Sequence, residues 1–181
     1  MHPDGHIVKT GPDGKEARLQ PRDIAALAYK AGWHDLNNLV MAVAVAHAEC
    51  GGFYLSYNDN LDDTTNKAVS RDVGLFQINI PASQIGTKAE TELHDPATNI
   101  ARAYAMWKAR GWQPWASYTH GVVFDDTYLS MALVGVLNFA AGTAIEEGAK
   151  LHPERSTHHV LKVPVVSLKQ WKHMHSAVPI W

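Results

Sequence analysis

One acidic residue, Glu49, stands where a carboxyl group is unusual. The preceding residues, Leu39 to Ala48, are almost wholly apolar and predict a largely buried helix that ends near Glu49. Partial burial disfavours a carboxylate, and so does the partial negative charge at a helix C-terminus. Glu49 is therefore predicted to hold its proton near neutrality and to act as a general acid. The alternative is a glutamate in the last helical turn that simply reaches solvent.

A second group of polar residues follows 23 positions later. The stretch Asp72–Asn79 contains a carboxylate, a glycine and two amides, Gln77 and Asn79. If this stretch is extended, Gln77 and Asn79 point to the same side. Paired amides beside an acid suit an amide-bearing sugar, because each amide both donates and accepts hydrogen bonds. The alternatives are a structural β-turn with its amides bonded to backbone, and an Asp72 that bonds its own loop.

An aromatic block at Trp112, Trp115 and Tyr118 offers rings that can stack on sugars. Aromatic residues at such spacing also form cores, so we expect at least one tryptophan to be buried and one to line a groove.

The eleven histidines suggest a metal site, but their pattern does not support one. His173 and His175 would share one face of a strand, with His158 and His159 nearby, yet no cysteine partner or His-Glu-x-x-His pattern accompanies them. We expect no metal and no cofactor.

The elements that must position these residues follow from helix signals and turn residues. The predicted elements are an extended or hairpin segment over 1–20, helices over 21–30, 36–49, 95–110 and 126–148, a loop over 53–70, and a strand or buried turn over 73–80. The prediction is a predominantly helical α+β fold with a small β element around residues 70–80.

Composition narrows the class of protein. The 181 residues fit about one domain, and the net charge of −2 gives no basic field for nucleic acid. Cys50 is the single cysteine, so no internal disulfide forms. Residues 1–20 lack the apolar run of a secretory signal, so synthesis in the cytoplasm is expected. The 18-residue uncharged stretch Tyr128–Ile145 favours a buried helix over a membrane span, hence a soluble protein, expected to be monomeric.

Four segments in order resemble the lysozyme-like superfamily of peptidoglycan-cleaving enzymes, particularly the transglycosylase-like domains of actinobacteria and their phages. They are Ala46–Glu49, Asp72–Asn79, Asp95–Ala103 and Gly111–Tyr118, within residues 22–120. The resemblance implies a lysozyme-like catalytic domain over 21–181 and cleavage of the β-1,4 bond between N-acetylmuramic acid and N-acetylglucosamine. It makes Glu49 the general acid/base and peptidoglycan the partner. Gln77, Asn79, Trp112, Trp115 and Tyr118 are the expected substrate-binding residues.

Two reaction routes stay open. Asp72 falls where animal-type lysozymes hold a second carboxylate, which would stabilise the oxocarbenium ion or form a covalent adduct before hydrolysis. If Asp72 points away, the substrate's N-acetyl group would act instead, and Glu49 would deprotonate the sugar 6-hydroxyl to release an anhydro product, as in a lytic transglycosylase. The presence of Asp72 favours hydrolysis. A third alternative is a non-catalytic wall-binding or virion structural domain.

Two features depart from or extend this resemblance. Cys50 stands where the family usually has serine, which leaves a weaker hydrogen-bonding thiol beside Glu49. From Lys150 onward the chain has five Lys or Arg residues and one Glu, for a net charge of +4. This tail fits attraction to anionic wall polymers or phospholipid, or a solvated face. A phage-related role in lysis or infection is expected, at the bacterial cell wall.

Overall fold

The computed structural model describes residues 17–151. Within them lie six α-helices and a three-stranded antiparallel sheet of order β1-β2-β3. The helices are α1 (Pro21–Ala31), α2 (Leu36–Cys50), α3 (Lys88–Leu93), α4 (Pro96–Arg110), α5 (Ala116–Thr119) and α6 (Asp126–Leu151), and the strands are β1 (Tyr57–Leu61), β2 (Ala68–Val73) and β3 (Ile78–Pro81). Short 3₁₀ turns cover Ala82–Gln84 and Val122–Phe124. The predicted helical α+β class is confirmed.

Local capping residues set the bounds of the helices, as the sequence predicts. Pro21 opens α1, and the side chain of Asp35 accepts a hydrogen bond from the backbone N–H of Asn38 at the start of α2. Asp95 caps α4 in the same way. Gly51 ends α2 in the left-handed conformation, with φ of 65°, which glycine adopts without steric cost.

The sheet begins earlier than the sequence predicts. Residues 53–70 were expected to be a loop, and this is wrong, because Tyr57–Leu61 pairs with β2 as strand β1. Asn and Asp are poor strand formers, so the local sequence hides this strand, and cross-strand pairing with β2 stabilises it. Residues 73–80 were expected to be a strand or a buried turn, and they contain both. Residues 74–77 make a turn that joins β2 to β3.

The aromatic core lies between α1, α4 and the sheet turn. Trp33, which is 1% exposed, stacks on Phe76 on one side and on Trp112 on the other, with ring centroids 5.8 and 5.7 Å apart. Tyr104 of α4 meets Trp33 edge-on at 5.0 Å. These contacts bind the sheet turn to the helical part of the fold.

A largely buried cluster of charged side chains joins the sheet to α3. Arg71 of β2 makes two hydrogen bonds to Asp59 of β1, at 2.6 and 2.9 Å, and one to Glu90 of α3 at 2.8 Å. Burial alone would raise the pKa of Glu90, but the N–H of Gly86 and the charge of Arg71 hold it below its usual value. Arg71 therefore ties α3 to the sheet.

Helix α6 is less buried than predicted. The 19-residue window Asp126–Ala144 is long and apolar enough to cross a membrane by length and composition, with a mean hydropathy of 1.3. Only 22% of that window is buried, so the expectation of a buried helix is wrong for most of it. One face of α6 packs against the start of α1. A Cβ added to Gly135 would lie only 2.4 Å from the Cβ of Pro21, so the two helices approach closely there.

The chain divides into two compact units, one ending at Phe139 and the other beginning at Ala140. In the described chain the first unit holds the sheet and helices α1 to α5. The predicted hairpin over 1–20 lies outside the described residues, apart from 17–20. The histidines from His158 onward and the basic tail beyond residue 151 also lie outside them.

Candidate active site

Glu49 occupies the last turn of α2 and is partly buried. Its Oε1 accepts a hydrogen bond of 3.2 Å from the backbone N–H of Ser117, at the start of α5. Among residues 17–151 no other group donates to this carboxyl group, so one oxygen is fixed and Oε2 is free to face a ligand. The hydroxyl of Ser117 is buried and has no partner among the same residues.

The chain that follows Glu49 is held in one conformation. A Cβ on Gly52, where φ is 85°, would lie 2.8 Å from the carbonyl oxygen of Leu19 and 3.0 Å from the ring of His47. The guanidinium Nε of Arg18 donates to the carbonyl of Gly51 at 2.8 Å. The segment Ala17–Leu19 thus pins the loop that immediately follows the candidate acid.

Two titratable groups next to Glu49, the His47 ring and the Cys50 thiol, stay uncharged near neutral pH. Burial, with the nearby charge of Arg18, lowers the pKa of His47 to about 4. Burial raises the pKa of the Cys50 thiol to about 12. Its Sγ donates to the carbonyls of Leu75 at 3.3 Å and Ala46 at 3.4 Å, so the thiol makes structural hydrogen bonds beside Glu49. A protonated, buried thiol is not a nucleophile.

Asp72 lies in a polar cluster on one face of the sheet. Its Oδ2 accepts a hydrogen bond from Asn60 on β1 at 3.0 Å, and its Oδ1 accepts one from Asn79 on β3 at 2.9 Å. Both amides also donate to the hydroxyl of Ser70, at 3.1 and 3.0 Å. Asp72 therefore does not bond its own loop, and its carboxylate is oriented from both neighbouring strands.

Gln77 is placed differently from Asn79. The stretch 72–79 is not continuously extended, because residues 74–77 form the hairpin turn and Gln77 has a φ of 42°. Its Nε2 donates to the carbonyl of Gly74 at 2.8 Å and to the hydroxyl of Ser56 at 3.1 Å. Its amide is therefore turned into the hairpin, whereas Asn79 is exposed beside Asp72.

The hairpin turn is anchored by Asn99 of α4. Its Oδ1 accepts from the N–H of Phe76, and its Nδ2 donates to the carbonyls of Val73 and Leu93, each at 2.9 Å. A Cβ on Gly74 would lie 2.3 Å from the Asn99 amide nitrogen, so only glycine permits this approach. The turn is thereby fixed relative to α4.

The aromatic block contributes mainly to the core. Trp112 is 9% exposed and Trp115 is 3% exposed, so the expectation that one of them lines a groove is not met. The Nε1 of Trp115 donates to the carbonyl of Phe76 at 3.0 Å and so supports the hairpin turn. Tyr118 is partly buried and lies at the edge of this cluster, next to Phe124.

Sequence reasoning missed several of these residues. Asn60 and Ser70 lay in the segment expected to be a loop, and only their alternation with Asp72 across strands would have indicated a shared face. Asn99 carried a signal that was available, a polar residue on the apolar face of a clear helix. Ser117 acts through its backbone N–H, which no side-chain pattern reveals.

Comparison with known proteins identifies the family. Residues 25–117, more than half of the chain, match the family model of the lysozyme-like domain. The chain belongs to this family of lysozyme-like domains, and its helical fold with a small three-stranded sheet agrees with that assignment. Neither the curated proteins nor the solved structures compared with the chain gave a match. Within residues 17–151, no group of three His, Cys, Asp or Glu side chains is placed to hold a metal ion.

Proposed function

We propose that the protein is a peptidoglycan glycosidase that cleaves the β-1,4 bond between N-acetylmuramic acid and N-acetylglucosamine. Membership of the lysozyme-like domain family supports an enzyme of the peptidoglycan-cleaving kind. The observation that supports cleavage of this particular bond is the geometry of Glu49. It is a partly buried carboxyl group with one oxygen fixed by Ser117 and the other free among the described residues.

In this proposal Glu49 donates its proton to the glycosidic oxygen as the bond to the anomeric carbon breaks. The leaving sugar departs with that proton, and positive charge develops on the remaining ring. Asp72 stabilises this charge, because Asn60 and Asn79 keep its carboxylate in a fixed orientation. Glu49 then takes a proton from the attacking water, which returns the enzyme to its starting state.

Lytic transglycosylation is the second candidate, and one observation favours it. Both oxygens of Asp72 already accept hydrogen bonds within the sheet, which suits a structural carboxylate. The N-acetyl group of the substrate would then attack the anomeric carbon. Glu49, ionised after it has donated its proton to the leaving sugar, would take the proton of the 6-hydroxyl. The 6-oxygen would displace the N-acetyl oxygen from the anomeric carbon, and the product would be a 1,6-anhydro sugar formed without water.

Mass spectrometry of the fragments released from purified peptidoglycan tests both candidates. The wild-type protein is expected to release fragments with reducing muramic ends, and Glu49→Gln is expected to release none, while both proteins keep the same melting temperature. Asp72→Asn should then lower the rate at least tenfold, because a neutral amide cannot stabilise the cation.

Anhydro ends from the wild type would establish transglycosylation and assign Asp72 a structural role. Release of no fragments from walls of several bacterial types would refute both reactions and favour a wall-binding or virion structural domain. The setting we propose is the bacterial cell wall, during phage lysis or infection.

A further inference from the structure

An exposed aromatic residue, Phe124, lies beside the Glu49 site and has no role in the core. It belongs to the 3₁₀ turn Val122–Phe124, which packs against α2 and α5. The middle residue, Val123, is 0% exposed and anchors the turn. Its neighbours Val122 and Phe124 are 44% and 45% exposed, so the turn presents two apolar side chains to solvent.

The turn is linked to the candidate acid through α5. Ser117 donates its N–H to Glu49, and the next residue, Tyr118, contacts Phe124 with ring centroids 5.4 Å apart. Tyr118 also contacts the buried ring of Trp112 at 6.3 Å. A continuous row of rings therefore leads from the core, through Tyr118, to the exposed face of Phe124.

The backbone of the turn and of the neighbouring helix α5 is hydrogen-bonded. The N–H of Phe124 donates to the carbonyl of Gly121 at 3.1 Å, and Trp115 accepts backbone hydrogen bonds from Tyr118 and Thr119, each at 3.1 Å. A side chain that is already ordered loses little conformational entropy when it binds a ligand. The Phe124 ring rests against the ring of Tyr118 and stays 45% exposed, as expected of a binding surface.

We infer that Tyr118 and Phe124 form an aromatic platform that binds a pyranose ring of the glycan strand next to the bond that is cleaved. Sugar rings carry an apolar face of C–H groups, which an aromatic face covers without breaking the hydrogen bonds of the hydroxyls. The occupant follows from the position of the platform, since Ser117, the residue before Tyr118, donates its N–H to the proposed general acid Glu49. The inference rests on the proposed function for the identity of the strand.

Binding of a defined saccharide to an inactive protein tests the platform. The probe is the hexamer of N-acetylglucosamine, and the protein is the full chain carrying Glu49→Gln, so that no cleavage occurs during calorimetric titration. Adding Phe124→Ala is expected to raise Kd five- to tenfold, because it removes a contact in which the sugar covers roughly half of the exposed part of the ring. Phe124→Trp should bind at least as tightly as the Glu49→Gln protein, because it keeps an aromatic face.

Leu36→Ala is the matched control. Leu36 is 52% exposed, but it begins α2, about 20 Å along the helix from Glu49. Its loss is expected to leave Kd unchanged. Phe124→Leu separates stacking from packing, since leucine keeps an apolar contact with Tyr118 but offers no ring. It should bind as weakly as Phe124→Ala, and it is the variant to use if the alanine variant does not fold.

Three results would overturn the platform: no binding of the hexamer by the Glu49→Gln protein, an unchanged Kd for Phe124→Ala, or full affinity for Phe124→Leu. Failure of the proposed function looks different. A wild-type protein that releases no peptidoglycan fragments, yet loses hexamer affinity when Phe124 is changed, would refute the reaction and keep the sugar-binding surface. Cleavage with an unchanged KM in Phe124→Ala would refute the platform alone.

Discussion

Replacing Asn99 by alanine is the most informative change that the fold offers, because one buried side chain fixes the turn beside the site. Asn99 is 0% exposed and makes three hydrogen bonds of 2.9 Å, to the N–H of Phe76 and the carbonyls of Val73 and Leu93. Asn99→Ala removes all three and leaves those backbone groups without the amide.

The expected loss can be worked from these contacts. A buried hydrogen bond contributes about 1 kcal/mol net, and an orphaned buried partner costs about 1–3 kcal/mol. Two bonds at about 1 kcal/mol each, together with one orphaned partner at about 1–3 kcal/mol, give a loss of about 3–5 kcal/mol in the free energy of unfolding. Because domains are stable by about 5–15 kcal/mol, the variant should remain folded at room temperature with little reserve.

Urea denaturation followed by tryptophan fluorescence measures this loss, with the slope of the transition expected to stay unchanged. Hydrogen exchange at the amide of Phe76 should quicken in parallel, since that N–H loses its acceptor. Asn37→Ala is the control, because Asn37 is an exposed asparagine in the first turn of α2 and should lose less than about 1 kcal/mol. A loss below 1 kcal/mol for Asn99→Ala, with unchanged protection of the Phe76 amide, would refute the reasoning.

Three further changes test other parts of the structure. Because the pKa of His47 is about 4 when folded and near 6.5 when unfolded, stability should fall by up to about 3 kcal/mol as pH drops from 6.5 to 4. Denaturation curves at several pH values should show that this loss of stability between pH 6.5 and 4 is absent in His47→Leu. The same dependence of the unfolding free energy on pH in both proteins would contradict the prediction. Arg71→Met should lower stability by about 3 kcal/mol in calorimetry, because buried Glu90 loses its cation, whereas Arg110→Met on the surface should change it little. Cys50 should resist iodoacetamide in the native protein, as mass spectrometry would show, because burial raises its pKa to about 12; rapid alkylation would be inconsistent with a buried thiol.

The sequence by itself determined the four longer helices and the family, whereas the short helices α3 and α5 were not predicted. The ends of α1, α2 and α4 follow from Pro21, Asp35, Gly51 and Asp95, since capping depends on hydrogen bonds and torsion angles within one turn of the chain. Residue types and their order sufficed for the lysozyme-like assignment, because the motifs are short and local.

Strand β1 and the burial of the aromatic block needed the tertiary structure. The sequence Tyr57–Leu61 has a loop-like composition, and its pairing with β2 provides the hydrogen bonds that make it a strand. Trp112 and Trp115 had the spacing of either a core or a binding surface. Their burial depends on Trp33 and Phe76, which lie far away in sequence.

The geometry of the candidate site was decided in the same way. Glu49 could be singled out from its apolar helix, but its partner, the N–H of Ser117, lies 68 residues further along the chain. Asp72 is held by Asn60 and Asn79 through a sheet register that no local pattern defines. Local sequence fixes which groups are present and on which element, whereas hydrogen bonds between distant residues form only where packing brings those elements together.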